Sequence, residues 1–263
     1  MNFVDTHAHL GDPRFDADRD SVFERAAAAG VARIVEIADH PDEWARAVAI
    51  ARARPTVARC TLGLHPYYAD LYDDDFIPHL RAALDAAPEV VAIGEIGLDY
   101  AKAAVPHDVQ RRAFAALADA GHRWGVPLVI HCRDAYPDLV PMLKELFPEK
   151  PATGRFWGVI HCFTGTPEDA EACSALGFVL GADGPVTYKK NAALRDGFRR
   201  AGLGATVLET DSPYLPPESS RGKRNEPAAI LEIAEKLAEV FSVSLEEVAR
   251  RTSANAAELY RWP

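Results

Sequence analysis

The sequence predicts a (β/α)8 TIM barrel, an α/β fold in a single domain over residues 1–263. Eight short apolar runs rich in β-branched residues recur along the chain. Each is followed by an amphipathic stretch rich in alanine and charge, the alternation of βα units around a parallel sheet. Run after run also ends in a histidine or carboxylate, and such barrels carry their active sites at the C-terminal ends of the strands. A doubly wound open sheet is the alternative that the same alternation allows.

The first run, Phe3 to His9, sets two histidines two residues apart, so both imidazoles reach one side of the backbone. A helix is expected over Asp18 to Ala29, stopped by Gly30. The second run, Arg33 to Ala38, leads into a helix over Asp42 to Arg54, and the third, Val57 to Leu64, runs into His65 before a helix over Ile77 to Ala87. The fourth, Val90 to Leu98, carries Glu95 and is followed by Asp99 and a helix over His107 to Gly125. A carboxylate inside a buried parallel strand is costly unless it is paired or bound to metal, and the glycines flanking Glu95 indicate that something approaches the backbone closely.

The fifth run, Pro127 to Cys132, places His131 at its end ahead of a helix over Tyr136 to Phe147. The sixth, Trp157 to Phe163, does the same with His161, ahead of a helix over Pro167 to Leu176 stopped by Gly177. The seventh, Phe178 to Ala182, precedes a helix over Asn191 to Ala201 and then Gly202. The eighth, Thr206 to Thr210, carries Glu209 and is followed by Asp211. A helix over Glu226 to Phe241, with Pro227 near its start, and a last one over Ser244 to Tyr260 complete the chain.

Each site residue alone has a plainer reading. His7 and His9 fit an ordinary half-buried strand, His131 or His161 a satisfied core position, and Asp211 before Ser-Pro a turn cap. Together the readings change, because five histidines and several carboxylates land on one rim, where imidazole and carboxylate suit Zn, Mn, Fe or Mg. His40, His79, His107 and His122 fall on loops or helices and are expected at the surface.

The net charge of −10 and pI near 5.4 oppose a broad nucleic-acid face, so any phosphate contact must be local. No apolar run is long enough to span a membrane and no signal peptide is visible. Cys60, Cys132, Cys162 and Cys173 form no C-x-x-C pair, are expected as buried small side chains, and suit a cytoplasmic protein.

Asp5-Thr6-His7-Ala8-His9, Gly94-Glu95-Ile96-Gly97-Leu98-Asp99-Tyr100, Ile130-His131-Cys132-Arg133-Asp134-Ala135, His161-Cys162-Phe163-Thr164-Gly165 and Glu209-Thr210-Asp211-Ser212-Pro213-Tyr214-Leu215 resemble, in order and spacing, the TatD-type metal-dependent deoxyribonucleases of the amidohydrolase superfamily. The resemblance implies two divalent metal ions (Mg, Mn or Zn). His7, His9, Glu95 and Asp211 would bind one and Glu95, His131 and His161 the other, with Glu95 as bridge. It also implies substrate contacts from His65, Asp99, Arg133, Arg221 and Asn225. Two departures stand over the cleft: Tyr67 where the family commonly has histidine, and Ala101-Lys102 where an aromatic and an arginine are usual.

A bridging water between two metals loses its proton near neutral pH, and Asp211 can orient or deprotonate it. Arg133, Lys189, Lys190, Arg221, Lys223 and Arg224 are expected on the same rim, as phosphate contacts or as a solvated charged surface. The expected activity is hydrolysis of DNA phosphodiester bonds as a 3′-5′ exonuclease on strand ends or short single-stranded nucleic acid, in a monomeric protein of DNA repair or turnover. An amidohydrolase acting on an ester, lactone or amide, including an aminoacyl-RNA ester, is the second reading. A non-enzymatic binding protein on the same barrel is the third, and it would be expected to lack at least one ligand.

Overall fold

The computed structural model describes residues 1–152 and 155–261. One parallel sheet runs in sequence order through β1 (Phe3–Ala8), β2 (Val31–Ala38), β3 (Ala58–Leu62), β4 (Val90–Asp99), β5 (Leu128–Arg133), β6 (Gly158–Ile160), β7 (Phe178–Ala182) and β8 (Thr206–Leu208). The helices are α1 (Arg19–Ala28), α2 (Trp44–Ala53), α3 (Phe76–Ala86), α4 (His107–Trp124), α5 (Tyr136–Leu146), α6 (Pro167–Leu176), α7 (Ala192–Ala201), α8 (Ile230–Phe241) and α9 (Leu245–Tyr260). Sequential order with a β8-to-β1 contact rules out the doubly wound sheet. The barrel closes through a bridge between Ala8 and Ser212.

Strand alternation builds two cores. Val4, Val35, Ile37, Ala92, Val129, Val159, Val179 and Val207 form one apolar cluster with Leu259 and Tyr260 of α9. A larger cluster packs strand residues such as Ile34, Leu62, Ile93, Ile130 and Leu180 against the surrounding helices. α9 is pinned beside the starts of β1 and β8: Ser253 donates to the carbonyl of Asn2 at 2.9 Å and Asn255 to that of Thr206 at 2.7 Å. The helix that follows the eighth βα unit therefore contributes to the barrel core.

All eight predicted strands are present, but β6 and β8 are three residues each, shorter than predicted. The backbone leaves the strand conformation just beyond them, with Cys162 at φ 42° and Asp211 at φ 55° in the left-handed region. The helix predicted from Glu226 opens instead with a 3-10 turn, Pro227–Ala229, before α8. Gly177 ends α6 at φ 96° as predicted, and a reciprocal Thr166–Asp169 capping box starts that helix.

Of the four cysteines, Cys60, Cys132 and Cys173 are buried as predicted, whereas Cys162 is half-buried. His79 and His107 are exposed, but His40 is half-buried, and so is His122, whose ring stacks against both Phe147 and Trp157.

Candidate metal centre

The hydrogen bonds that close the barrel belong to the residues with the most telling side chains. The Asp211 N–H donates to the carbonyl of His7 at 2.9 Å, and the His9 N–H to that of Ser212 at 2.7 Å. Asp5, fully buried, braces the same seam by accepting from the backbone N–H groups of His7 and Thr210 and from the Thr210 hydroxyl. Closing the sheet thus fixes His7 and His9 relative to Asp211.

Glu95 is 3 % exposed and lies between two groups of imidazoles. Its Oε2 is 3.4 Å from His7 Nε2 and 3.9 Å from His9 Nε2. Its Oε1 is 2.7 Å from His131 Nδ1, 3.6 Å from His65 Nε2 and 3.8 Å from His161 Nε2. Asp211 Oδ1 completes the first side, 3.3 Å from His9 Nε2 and 3.7 Å from His7 Nε2. The Nε2 atoms of His7 and His9 are 3.1 Å apart.

The glycines around Glu95 mark a close approach to the backbone, as the sequence indicated, and the neighbouring strand makes it. A Cβ on Gly94 would fall 2.5 Å from the Val129 side chain, and one on Gly97 would fall 2.0 Å from the His131 carbonyl oxygen. The close approach is made by β5. It brings His131, paired in register with Gly97, against Glu95.

Burial opposes charge on every member, and the balance is set by partners. Burial would raise Glu95, but His161, His131 and His7 outweigh it and hold the carboxyl well below the usual range. Asp211 is likewise lowered, by His9 and His161 against burial. Burial would lower His9, yet Asp211, Asp39 and Glu95 push it up to about 9. His161 reaches about 10 in the same way, through Glu209 and Glu95. His65, desolvated with less compensation, falls to about 3.

His65 has a defined tautomer. Its Nδ1 accepts the Tyr67 N–H at 3.2 Å, so the proton of the neutral ring sits on Nε2, facing the centre. That makes His65 a donor toward whatever binds there, although it shares a ligand-sized cluster with Glu95 and His131.

Whether divalent metal fits can be judged from the donors alone. His7, His9 and Asp211 form one cluster whose ligand atoms lie within 4.8 Å of one another, and His7, Glu95 and His161 form another. His7 Nδ1 is buried without a partner. So dense a convergence of imidazole and carboxylate donor atoms is the donor set of a metal site. The residues fit. His161 also stacks on His7 with ring centroids 3.4 Å apart, while the His131 and His161 rings lie 6.4 Å apart and meet at Glu95 Oε1.

Two carboxylates stand behind the imidazoles. Asp99 Oδ2 is 3.1 Å from His131 Nε2 and accepts from Arg133 Nη1 at 3.2 Å, while its Oδ1 accepts the Ala101 and Lys102 N–H groups. With both oxygens engaged, Asp99 orients His131 and Arg133 and is not free for the substrate contact expected of it. Glu209 Oε1 lies 3.0 Å from His161 Nδ1 as an ion-pair contact, and the other nitrogen faces Glu95 and Asp211, 3.8 Å from each. A Cβ on Gly181 would collide with that carboxylate.

The expected phosphate contacts separate. Arg133 and Lys102 line the cavity of about 500 Å³ above the centre, with Asp39, Tyr67, Tyr68 and Tyr214. Arg221 is exposed, stacked 4.4 Å from the Tyr188 ring and outside the lining. Arg224 is ion-paired with Asp18 at 2.7 Å. Lys189 lies in another surface depression. Asn225 is buried, donating to the carbonyls of Thr210 and Tyr214 and accepting the Glu226 N–H. It shapes the loop after β8, which corrects the expected substrate contact.

Asp39 and Glu36 were not picked out from the sequence. Asp39 directly follows β2 and so obeyed the rule that found the others. Glu36 accepts the Leu10 and Gly11 N–H groups at 2.7 Å each, fixing the loop after β1.

A parallel barrel with this donor set at its C-terminal rim defines a metal-dependent hydrolase. The profile described as TatD related DNase matches residues 4–261, and the chain belongs to that family. It is 37% identical over 258 residues to the uncharacterised metal-dependent hydrolase YabD of Bacillus subtilis, covering 98% of each chain. It is 33% identical over 264 residues to the 3′-5′ ssDNA/RNA exonuclease TatD of Erwinia billingiae, covering 98% of this chain and 99% of that one. The crystal structure of the TatD homologue YjjV from Escherichia coli superposes with TM-score 0.91 at 30% identity, over 99% of this chain and 98% of that one. No helix among the described residues is long and apolar enough to cross a membrane.

Proposed function

We propose that this protein hydrolyses phosphodiester bonds at the 3′ ends of single-stranded DNA. The carrying observation is the cavity that joins the Glu95 donor set to Arg133 and Lys102, two cations placed beside that set on an acidic molecule. Similarity to relatives named as 3′-5′ ssDNA/RNA exonucleases supports the same substrate class.

His7, His9, Glu95, His131, His161 and Asp211 would hold two divalent cations. Such ions supply Lewis acidity, neutralising charge on a phosphoryl group and acidifying water. The chain's own groups supply the rest. Asp211, held as a carboxylate, takes the proton of the attacking water as general base. His65 presents its Nε2 proton to a phosphoryl oxygen, and Arg133, held by Asp99 and the Tyr67 hydroxyl, presents its remaining donors to the phosphate.

The test is a panel of 3′-labelled single-stranded DNA, duplex DNA, RNA and a simple carboxylic ester, run with Mg, Mn, Zn or chelator. Shortening of single strands from the 3′ end, abolished by chelator and restored by Mg or Mn, is expected. Ester hydrolysis with every oligonucleotide left intact would overturn the proposal.

A further inference from the structure

Six large apolar or aromatic side chains are exposed among the described residues, and three of them are tyrosines lining this one cavity: Tyr67 at 39 %, Tyr68 at 38 % and Tyr214 at 45 %. Exposed aromatics gathered at a cavity mouth mark a surface meant to be covered. We propose that Tyr67, Tyr68 and Tyr214 form a stacking collar for the unpaired bases next to the phosphodiester being cleaved, with Tyr67 as its fixed member. The inference rests on the nuclease reading above and deepens it.

The rings are held from below. Tyr67 gives its N–H to His65, its hydroxyl accepts from Arg133 Nη1 at 3.3 Å, and its ring meets His65 edge-to-face at 4.4 Å. Tyr68 meets His40 edge-to-face at 4.7 Å. Tyr214 donates its hydroxyl to Asp12 at 3.2 Å and carries the Arg14 guanidinium 4.2 Å from its ring centroid, so a base can cover only the opposite face. Anchored rings lose little freedom on binding, which favours stacking.

The ligand chemistry follows from the neighbours. Lys102 and Arg133 line the same cavity as these rings, so cations for phosphates and aromatic faces for bases are offered together, the pairing that single-strand binding uses. A base inside a duplex has both faces covered by its neighbours in the stack. The last pair of a duplex offers one face alone, whereas successive unpaired bases can each meet a ring, so the collar favours single strands and frayed ends.

The test uses the metal-loaded protein and an oligonucleotide with cleavage-resistant phosphorothioate linkages at its 3′ end, carrying 2-aminopurine at the terminal or penultimate position. Stacking quenches the probe. Wild-type protein should quench it, Y67A should abolish the quench and weaken binding roughly 5-fold to 100-fold, and Y67F, which loses the hydroxyl that Arg133 donates to but keeps the ring, should retain the quench. An oligonucleotide abasic at the probed position should bind Y67F and Y67A alike, since the two differ only in the ring. Binding with unchanged quench and affinity in Y67A, Y68A and Y214A overturns the collar and leaves the nuclease reading standing. Failure of wild type to bind any oligonucleotide overturns both.

Discussion

Asp211 and Glu209 are two residues apart, yet the structure gives them separable tasks. Asp211 touches the donor set directly and lines the cavity, so an amide there keeps a ligand oxygen but loses the base. Asp211→Asn should lower kcat by roughly 10²–10⁴ with KM little changed. Turnover fully recovered by added metal would make it a ligand only. Glu209 reaches the centre through His161. Glu209→Gln should weaken metal affinity by roughly 10- to 100-fold, the usual consequence of losing a carboxylate behind a ligating histidine, with kcat at saturating metal largely kept. Metal titration followed by calorimetry separates the two, and an unchanged isotherm would remove Glu209 from the site.

At the scale of elements, β4 and β5 show what a sequence conveys and what it withholds. The alternation of runs placed all eight strands, and the residues ending them named the imidazoles and carboxylates that converge. Partner choice was not legible. Asp99 looked free because nothing local reveals that its oxygens meet His131, Arg133 and two backbone N–H groups, and Asn225 because its carbonyl partners lie 11 and 15 residues away. The glycines of β4 were visible, but their cause was the neighbouring strand. Gly97 is at φ 147° with the His131 oxygen 2.0 Å from any added Cβ, whereas Gly222, also left-handed at φ 81°, has nothing within 4 Å. Gly97→Ala should therefore combine backbone strain with overpacking and cost about 2–6 kcal/mol, displacing His131. Gly222→Ala should cost about 1–2 kcal/mol. Equal losses of thermal stability in the two variants would show that the contact across β4 and β5 relaxes freely.

For the whole molecule the density of buried charge sets how stability responds to pH. Burial raises Asp5 to about 8 and Glu36 to about 7, and their neighbours raise His9 to about 9 and His161 to about 10 against burial. All four bind protons more tightly folded than unfolded. The two histidines lend stability that is complete below about pH 6.5 and drains away as pH rises through 9 and 10, and the two acids lose theirs between about 4 and 8. The opposite slope comes from His65, lowered to about 3, and from the depressed Glu95, Asp99 and Asp211, and it is spent by about pH 6.5. Metal-free protein should therefore gain stability with pH only up to about 4.5, lose it slowly to about 6.5 where Asp5 and Glu36 outweigh His65, and lose it faster above as His9 and His161 join, by roughly 3–5 °C in Tm per pH unit for each net proton released. Divalent metal binds the deprotonated imidazoles, so it competes with the protons that stabilise the metal-free site. Saturating Mn should flatten or reverse the fall between pH 6.5 and 8.5, and the Tm gained on adding metal should widen across that range. Thermal melts with chelator and with Mn, at half-unit pH steps, measure both slopes. A metal-free Tm that climbs from pH 6.5 to 8.5 would mean that the histidines around Glu95 are held neutral by something other than metal.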